Sequence, residues 1–323
     1  MKRRGGAADS VPPANNNMKR FVSAVTAIVI ALSVFSVTAL AADRYKPFED
    51  SRYFTYGDYD IHYRIKPAKG KTAGRIFMIH GFVCNTYSWR NMAEVMSENG
   101  YECVMADLPD FGYSTRETKD MKIVPREEIM IALMKSIAPL KEWIVAGHSM
   151  GGGVAVNIAL RAPVKALLLY CPCAQQEFPA AAKGIVTSKP MESLMNAFFN
   201  YGTRITPLVK LVIFAATNDW EFSKNYDVRG VTDAVQYDGF GAGMCEMMYN
   251  VIPTELDRAD EIKCPVLLCE AEKDIILNQT QKQEMYDAFP SAETYLVEGG
   301  GHQCIENRAD ELCEITTAFL DKQ

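Results

Sequence analysis

At 323 residues, with a formal net charge of −6 spread along the sequence, the chain is sized for one large α/β domain carrying an insertion rather than two independent domains. No basic patch marks a nucleic-acid surface, and no acidic tail marks a disordered partner-binding arm. With four histidines and no cysteine spacing of a zinc site, the composition argues against a metal centre.

The N-terminus differs from the rest. Met18-Lys19-Arg20 is a short basic stretch, Phe21 to Leu40 is almost wholly apolar, and Ala39-Leu40-Ala41 supplies small residues for cleavage. Residues 1–41 therefore read as a secretory signal peptide with a polar leader. The rival reading is an uncleaved membrane anchor, because the apolar run approaches the length of a bilayer span. Either reading makes residues 43–323 a secreted or extracytoplasmic domain, the second one tethered to a membrane. Export permits disulfides among the nine cysteines, with Cys171-Pro172-Cys173 the most conspicuous pair. Cys103, Cys264 and Cys269, in or beside strands, read instead as small buried hydrophobes.

Tyr45 to Lys66 alternates and is rich in aromatics, which predicts antiparallel strands at a sheet edge, with His62 half-exposed. Pro67 to Gly74 is a turn-rich connection. Arg75 to Ile79 is a buried strand that feeds the turn His80-Gly81-Phe82, and Trp89 packs the loop and helix beyond it. Cys103 to Ala106 is another strand, ended by the tight loop Asp107-Leu108-Pro109-Asp110-Phe111-Gly112-Tyr113-Ser114. Asp107 and Asp110 are expected to brace this loop by hydrogen bonding rather than to act as acids or bases. Arg126 to Ile137 has helical spacing of its apolar residues.

Trp143 to Ala146 then reads as a short buried strand, and Val154 to Leu160 as a helix packed on the sheet. Between them lies Gly147-His148-Ser149-Met150-Gly151, a G-x-S-x-G pattern in a strand–turn–helix setting. Such a turn strains the serine backbone and needs small neighbours. It also stands the hydroxyl clear of the sheet at the N-terminus of a helix, where the dipole favours developing negative charge. Ser149 is the candidate nucleophile.

Lys165 to Tyr170 is the next strand. From about 172 to 253 the strand–helix alternation stops. Phe198, Phe199, Tyr201, Phe214, Trp220, Phe222, Tyr226, Tyr237, Phe240, Met244, Met247 and Met248 mark this stretch as core, as a cap whose apolar underside lines a pocket, or as both. The α/β pattern resumes with a strand over Lys263 to Glu270, followed by Glu272-Lys273-Asp274. A helix (Thr280 to Phe289), a strand (Glu293 to Val297), the turn Glu298-Gly299-Gly300-Gly301-His302 and a closing helix (about Arg308 to Leu320) complete the chain.

A serine hydroxyl needs a base before it attacks. His80 and His148 belong to turns and His62 to an early strand, which leaves His302, on a glycine-freed loop able to swing its imidazole toward Ser149. A carboxylate must orient that imidazole. Asp274 leads, with Glu272 and Glu270 as fallbacks. Ser149, Asp274 and His302 all follow strand ends, where open parallel sheets bind ligands.

The pieces His80-Gly81-Phe82, Asp107 through Ser114, Gly147-His148-Ser149-Met150-Gly151-Gly152, Cys264-Pro265-Val266 through Asp274, and Gly301-His302 occur in one order. On these, the chain from about Tyr53 to Leu320 resembles the α/β-hydrolase superfamily, in particular its capped esterases, lipases and C–C-bond hydrolases. The resemblance implies a mostly parallel central sheet flanked by helices, with a helical cap insertion at about 172–253. It implies a Ser149–Asp274–His302 triad, an oxyanion hole from the Phe82 and Met150 backbone N–H groups, and no metal or organic cofactor. The implied activity is hydrolysis of a small-molecule carboxylic ester, with a lipid or other apolar acyl group suiting the cap. Asp110 stands where relatives commonly have glycine. The serine argues against epoxide hydrolases and haloalkane dehalogenases, which use an aspartate nucleophile, and Met150 argues against peptidases of the prolyl aminopeptidase type. C–C-bond or amide hydrolysis and perhydrolysis use the same three residues, and a non-catalytic ligand-binding protein or a mainly structural surface protein keeps the fold. Oligomeric state is not legible.

Overall fold

A computed structural model describes residues 45–323, except 178 and 238. The expected signal peptide or anchor at 1–41 lies outside the described residues.

Eight strands form one sheet: β1 (Ser51–Tyr56), β2 (Tyr59–Lys66), β3 (Gly74–Ile79), β4 (Tyr101–Ala106), β5 (Trp143–His148), β6 (Ala166–Tyr170), β7 (Val266–Ala271) and β8 (Glu293–Val297). Their order across the sheet is β1-β2-β4-β3-β5-β6-β7-β8. β1 and β2 pair antiparallel, as does β2 with β4, and every later pairing is parallel. The inner parallel strands are apolar almost without interruption because both faces are covered, whereas the edge strand β8 is mostly exposed. Along β3, Phe77 and Ile79 enter one core and Ile76 and Met78 the other. Helices α1 (Arg90–Glu98), α2 (Arg126–Ile137) and α3 (Met150–Arg161) follow in the first half of the chain.

Between β6 and β7 there is no strand among the described residues. Among the described residues, six α-helices fill this insertion: α4 (Ala180–Val186), α5 (Lys189–Ala197), α6 (Thr206–Thr217), α7 (Trp220–Asn225), α8 (Arg229–Val235) and α9 (Phe240–Tyr249). Some of its aromatics and methionines are buried, whereas Phe198, Tyr201 and Trp220 are exposed. Phe240, Met244 and Met247 are buried and join the core that contains Leu108 and Phe111. Phe199, Val235 and Phe240 also line a cavity of about 240 Å3, together with Asn196, Asn200 and Gln236. The outer face of α6 leaves Leu208, Leu211 and Val212 exposed. After β7 come α10 (Gln279–Ala288), the short α11 (Cys304–Asn307) and α12 (Ala309–Leu320).

The parallel topology sends the ends of β3, β4, β5, β6, β7 and β8 to one rim. His80, Asp107, Ser149, Cys171, Asp274 and His302 all sit on the turns just beyond those ends.

Candidate active site

Ser149 occupies a strained turn between β5 and α3, with φ 53° and ψ −125°. A non-glycine residue in the left-handed half of the map is costly, and such strain concentrates at functional positions. The surroundings hold it there. The Ser149 N–H donates to the Tyr170 carbonyl at 3.1 Å, and the Ser149 carbonyl accepts from Gly152 N–H at 2.8 Å and Cys173 N–H at 3.1 Å. A side chain at Gly151 would place its Cβ 2.4 Å from the Ile79 carbonyl oxygen, so α3 packs against the end of β3 only with glycine there. Met150 lies in the first turn of α3, where a backbone N–H has no intrahelical acceptor.

The turn after β3 lies against this elbow. A Cβ at Gly81 would come 2.9 Å from the Ser149 Cβ. His80 fixes the neighbouring peptide. Its Nε2 accepts from the Leu108 N–H at 3.0 Å, which leaves the ring proton on Nδ1 to donate to the Gly81 carbonyl at 2.7 Å. The Cys84 N–H donates to the same oxygen at 3.2 Å. In a trans peptide the N–H points opposite to its carbonyl, so the Phe82 N–H is turned away from these partners. Burial lowers the His80 imidazole against the pull of Asp107, and the ring stays neutral.

Across the rim, His302 Nδ1 is 2.8 Å from Asp274 Oδ2. The other Asp274 oxygen, Oδ1, accepts from the Ile276 and Leu277 N–H groups at 2.8 and 3.1 Å. Burial works to raise this carboxyl. The His302 hydrogen bond and charge, with the two backbone donors, outweigh it and hold Asp274 below its ordinary value. Glu272 is tied instead to the Gly299 N–H at 2.9 Å and to Lys273. Glu270 is buried without a hydrogen-bond partner for either oxygen among the described residues. Of the three acids, the structure joins only Asp274 to His302.

The His302 loop does not swing free. The N–H groups on either side of the histidine, from Gly301 and Gln303, donate to the Thr217 and Ala216 carbonyls at the end of α6, at 3.2 and 2.8 Å. The His302 carbonyl accepts from His148 Nε2 at 2.9 Å, and the two imidazole rings lie 5.0 Å apart. Burial, and then the nearby His302, lower the His148 imidazole to about 3, so it braces the loop as a neutral ring. His302 thus stands beside the residue that precedes Ser149. Ser149, His302 and Asp274 are 6%, 6% and 9% exposed, enough for contact with a ligand at the rim.

The family follows from this chain's length of match. Residues 74–308 fit the model of the alpha/beta hydrolase fold, from the start of β3 to the residue before α12. The chain is an α/β hydrolase. It is 21% identical over 285 residues to the hydrolase YugF of Bacillus subtilis, covering 83% of this chain and 97% of that one. It is 22% identical over 259 residues to a pimeloyl-[acyl-carrier protein] methyl ester esterase of Vibrio atlanticus, covering 76% and 94%. The crystal structure of the enol-lactonase from Burkholderia xenovorans LB400 superposes with a TM-score of 0.65 at 18% identity, over 84% of this chain and all of that one. The hydrolase is therefore an enzyme of the esterase and hydrolase family.

Several features of the hydrolase depart from the sequence expectation or were missed by it. His62 is not half-exposed. It is fully buried, with Nδ1 2.8 Å from Asp107 Oδ2 and Nε2 2.8 Å from the Ser51 hydroxyl. β1 lies outside β2 as the edge strand, and the loop after β4 covers the other side. Asp107 and Asp110 do brace that loop. Asp107 accepts from the Thr86 and Tyr113 N–H groups at 2.6 and 2.9 Å. Asp110 has a positive φ of 72°, which explains why glycine suits the position, and its carboxylate takes the Glu117 N–H at 2.7 Å and Arg126 at 2.9 Å. All nine cysteines are free. Cys171 faces Cys304 rather than Cys173, with the sulfurs 3.7 Å apart. The Cys173 thiol is hydrogen-bonded with the Ser149 side chain and is pushed by burial up to about 11, so it is protonated near neutral pH.

Proposed function

We propose that the hydrolase cleaves carboxylic esters through an acyl-enzyme on Ser149. The observation that carries this reading is the 2.8 Å contact between His302 Nδ1 and Asp274, on a loop braced by the residue next to a strained serine. With its Nδ1–H donating a hydrogen bond to Asp274, His302 leaves the Nε2 electron pair free to take the Ser149 proton. The Ser149 oxygen attacks the ester carbonyl carbon, and the carbonyl oxygen gains the negative charge. The Phe82 and Met150 N–H groups receive that charge, each worth roughly 3 kcal/mol of barrier. His302 passes its new proton to the departing alcohol. Water then attacks the acyl-enzyme, with His302 again as base.

An apolar acyl group suits the insertion. Phe82, Phe111, Phe240 and Phe199 form a chain of edge-to-face rings, with successive centroids 6.0, 6.4 and 4.8 Å apart, from the oxyanion turn to the cavity wall. The Vibrio relative, by its name, acts on a methyl ester, which agrees with ester chemistry. The apolar stretch from Phe21 to Leu40 supports an extracytoplasmic enzyme, released or membrane-tethered.

A fluorophosphonate probe should label Ser149, and Ser149→Ala should abolish both labelling and turnover of p-nitrophenyl esters. A panel of acyl lengths, with amide and C–C substrates alongside, would rank the chemistries. An alanine variant as active as the parent would overturn the assignment.

A further inference from the structure

Two thiols meet behind the candidate base. Cys171 follows β6 directly, and Cys304 opens α11 two residues after His302. Both are fully buried, and their sulfurs are 3.7 Å apart. Donor atoms of Cys171, Asp274 and His302 also lie within 4.8 Å of one another. One thiol, a carboxylate and an imidazole therefore converge on one small volume, the second thiol touches the first, and the proposed reaction uses neither thiol.

The spacing suits a soft cation. Zinc binds thiolate at about 2.3 Å, and two such bonds at a tetrahedral angle set their sulfurs roughly 3.8 Å apart. The Cys171–Cys304 separation already has that length, and the nitrogen and oxygen donors would supply the remaining corners. We propose that Cys171, Cys304, Asp274 and His302 form an inhibitory site for a thiophilic divalent cation such as zinc or cadmium. On binding, the two thiols lose their protons to solvent, and the two thiolates balance the cation's charge.

Inhibition follows from the count of ring nitrogens, and it rests on the reading of His302 as the base. A cation on Nε2 occupies the electron pair that takes the Ser149 proton. A cation on Nδ1 displaces the ring proton to Nε2, which then has no free pair. Either way the serine is left without a base.

The test uses the full chain, kept under a non-thiol reductant so that the thiols remain reduced. Cadmium is titrated while the ultraviolet thiolate-to-cadmium absorption and ester hydrolysis are followed together. The expected result is a band that saturates at one equivalent, hydrolysis lost at least tenfold in parallel, and recovery of both on adding a chelator. Cys171→Ser and Cys304→Ser should each weaken cadmium binding at least tenfold, with activity compared with and without cadmium for each variant. Cys245→Ser, in α9, should respond to cadmium as the parent does. Should Cys171→Ser fail to fold, Cys304→Ser carries the test alone. No band, or a band unchanged in these two variants, overturns the proposal. A one-equivalent band that depends on Cys304 while hydrolysis continues overturns the inhibition, whereas the reading of His302 as base fails separately, if His302→Ala hydrolyses the ester as fast as the parent without cadmium.

Discussion

Glu270→Gln separates a buried carboxyl that weakens the fold from Asp274, the one proposed to orient the base. Glu270 lies on β7, 3% exposed, with both oxygens lacking hydrogen-bond partners among the described residues and the Lys282 Nζ no nearer than 3.9 Å. Burial, with Asp274 close by, raises its carboxyl to about 7 from an ordinary 4.5, against the pull of Lys282. Between those two values the unfolded chain gives up the proton while the folded protein keeps it. Stability therefore falls as pH rises through that window and is level above it. A gap of that width corresponds to about 3 kcal/mol by pH 8. Glutamine stays neutral throughout. The variant should match the parent near pH 4.5 and exceed it by about 3 kcal/mol at pH 8, or roughly 6–12 °C in Tm for a domain of this size. Thermal unfolding of both proteins at several pH values measures this, and their difference cancels the other titrating groups. A Tm difference that is the same at pH 5 and pH 8 would refute the reasoning. Ester hydrolysis should survive the change, because Asp274 and not Glu270 contacts His302.

Asp274→Asn should leave KM nearly unchanged and lower kcat by about 10^4, since an amide no longer selects the useful tautomer. Steady-state kinetics on a p-nitrophenyl ester would show it, and a loss below tenfold would count against Asp274. Gly301→Ala places a Cβ 2.5 Å from the Ala216 carbonyl oxygen and must push the His302 loop off α6. A drop in kcat of about 10^2 is expected from such a displacement, and unaltered kinetics would mean that α6 does not position the loop.

The inner parallel strands were legible because they are buried on both faces. Ile76 and Met78 serve one core and Phe77 and Ile79 the other, so the sequence shows an unbroken apolar run. The elbow was legible because its signature lies within five residues, although only Gly147 answers a local clash, with the Gly151 carbonyl, while Gly151 makes room for the end of β3. Choosing among Glu270, Glu272 and Asp274 was not local. It depends on which carboxylate the turn after β7 aims at a loop 28 residues away. The grip of α6 on Gly301 and Gln303 was hidden for the same reason. Its donors and acceptors are backbone groups, which leave no mark on residue type. His62 misled because alternation reports on neighbours within a strand. The loop after β4 that buries it comes from elsewhere in the chain.

That histidine shows why three residue types do not by themselves make a nucleophile. Ser51, His62 and Asp107 repeat the pattern of serine, imidazole and carboxylate, with both contacts at 2.8 Å. Three differences make Ser51 inert. Its oxygen already accepts the Phe48 N–H at 3.0 Å, which withdraws electron density from the atom that would attack. It begins strand β1, away from any helix N-terminus, and the elbow strain seen at Ser149 is missing there. The rings of Tyr53, Tyr113 and Phe48 lie 5.3, 5.5 and 6.1 Å from the His62 ring and occupy the space an ester would need. The arrangement is a clamp, tying β1 and β2 to the Asp107 carboxylate that also orders Thr86 and Tyr113. In Ser149→Ala, with Ser51 intact, a fluorophosphonate should therefore attach nowhere, as peptide mapping would reveal. His62→Phe should leave Asp107 buried without its imidazole and cost about 3–5 kcal/mol of stability. Label on Ser51 would mean that reactivity here is set by the three side chains and not by the strain, donors and open space around Ser149, and a His62→Phe protein as stable as the parent would refute the clamp.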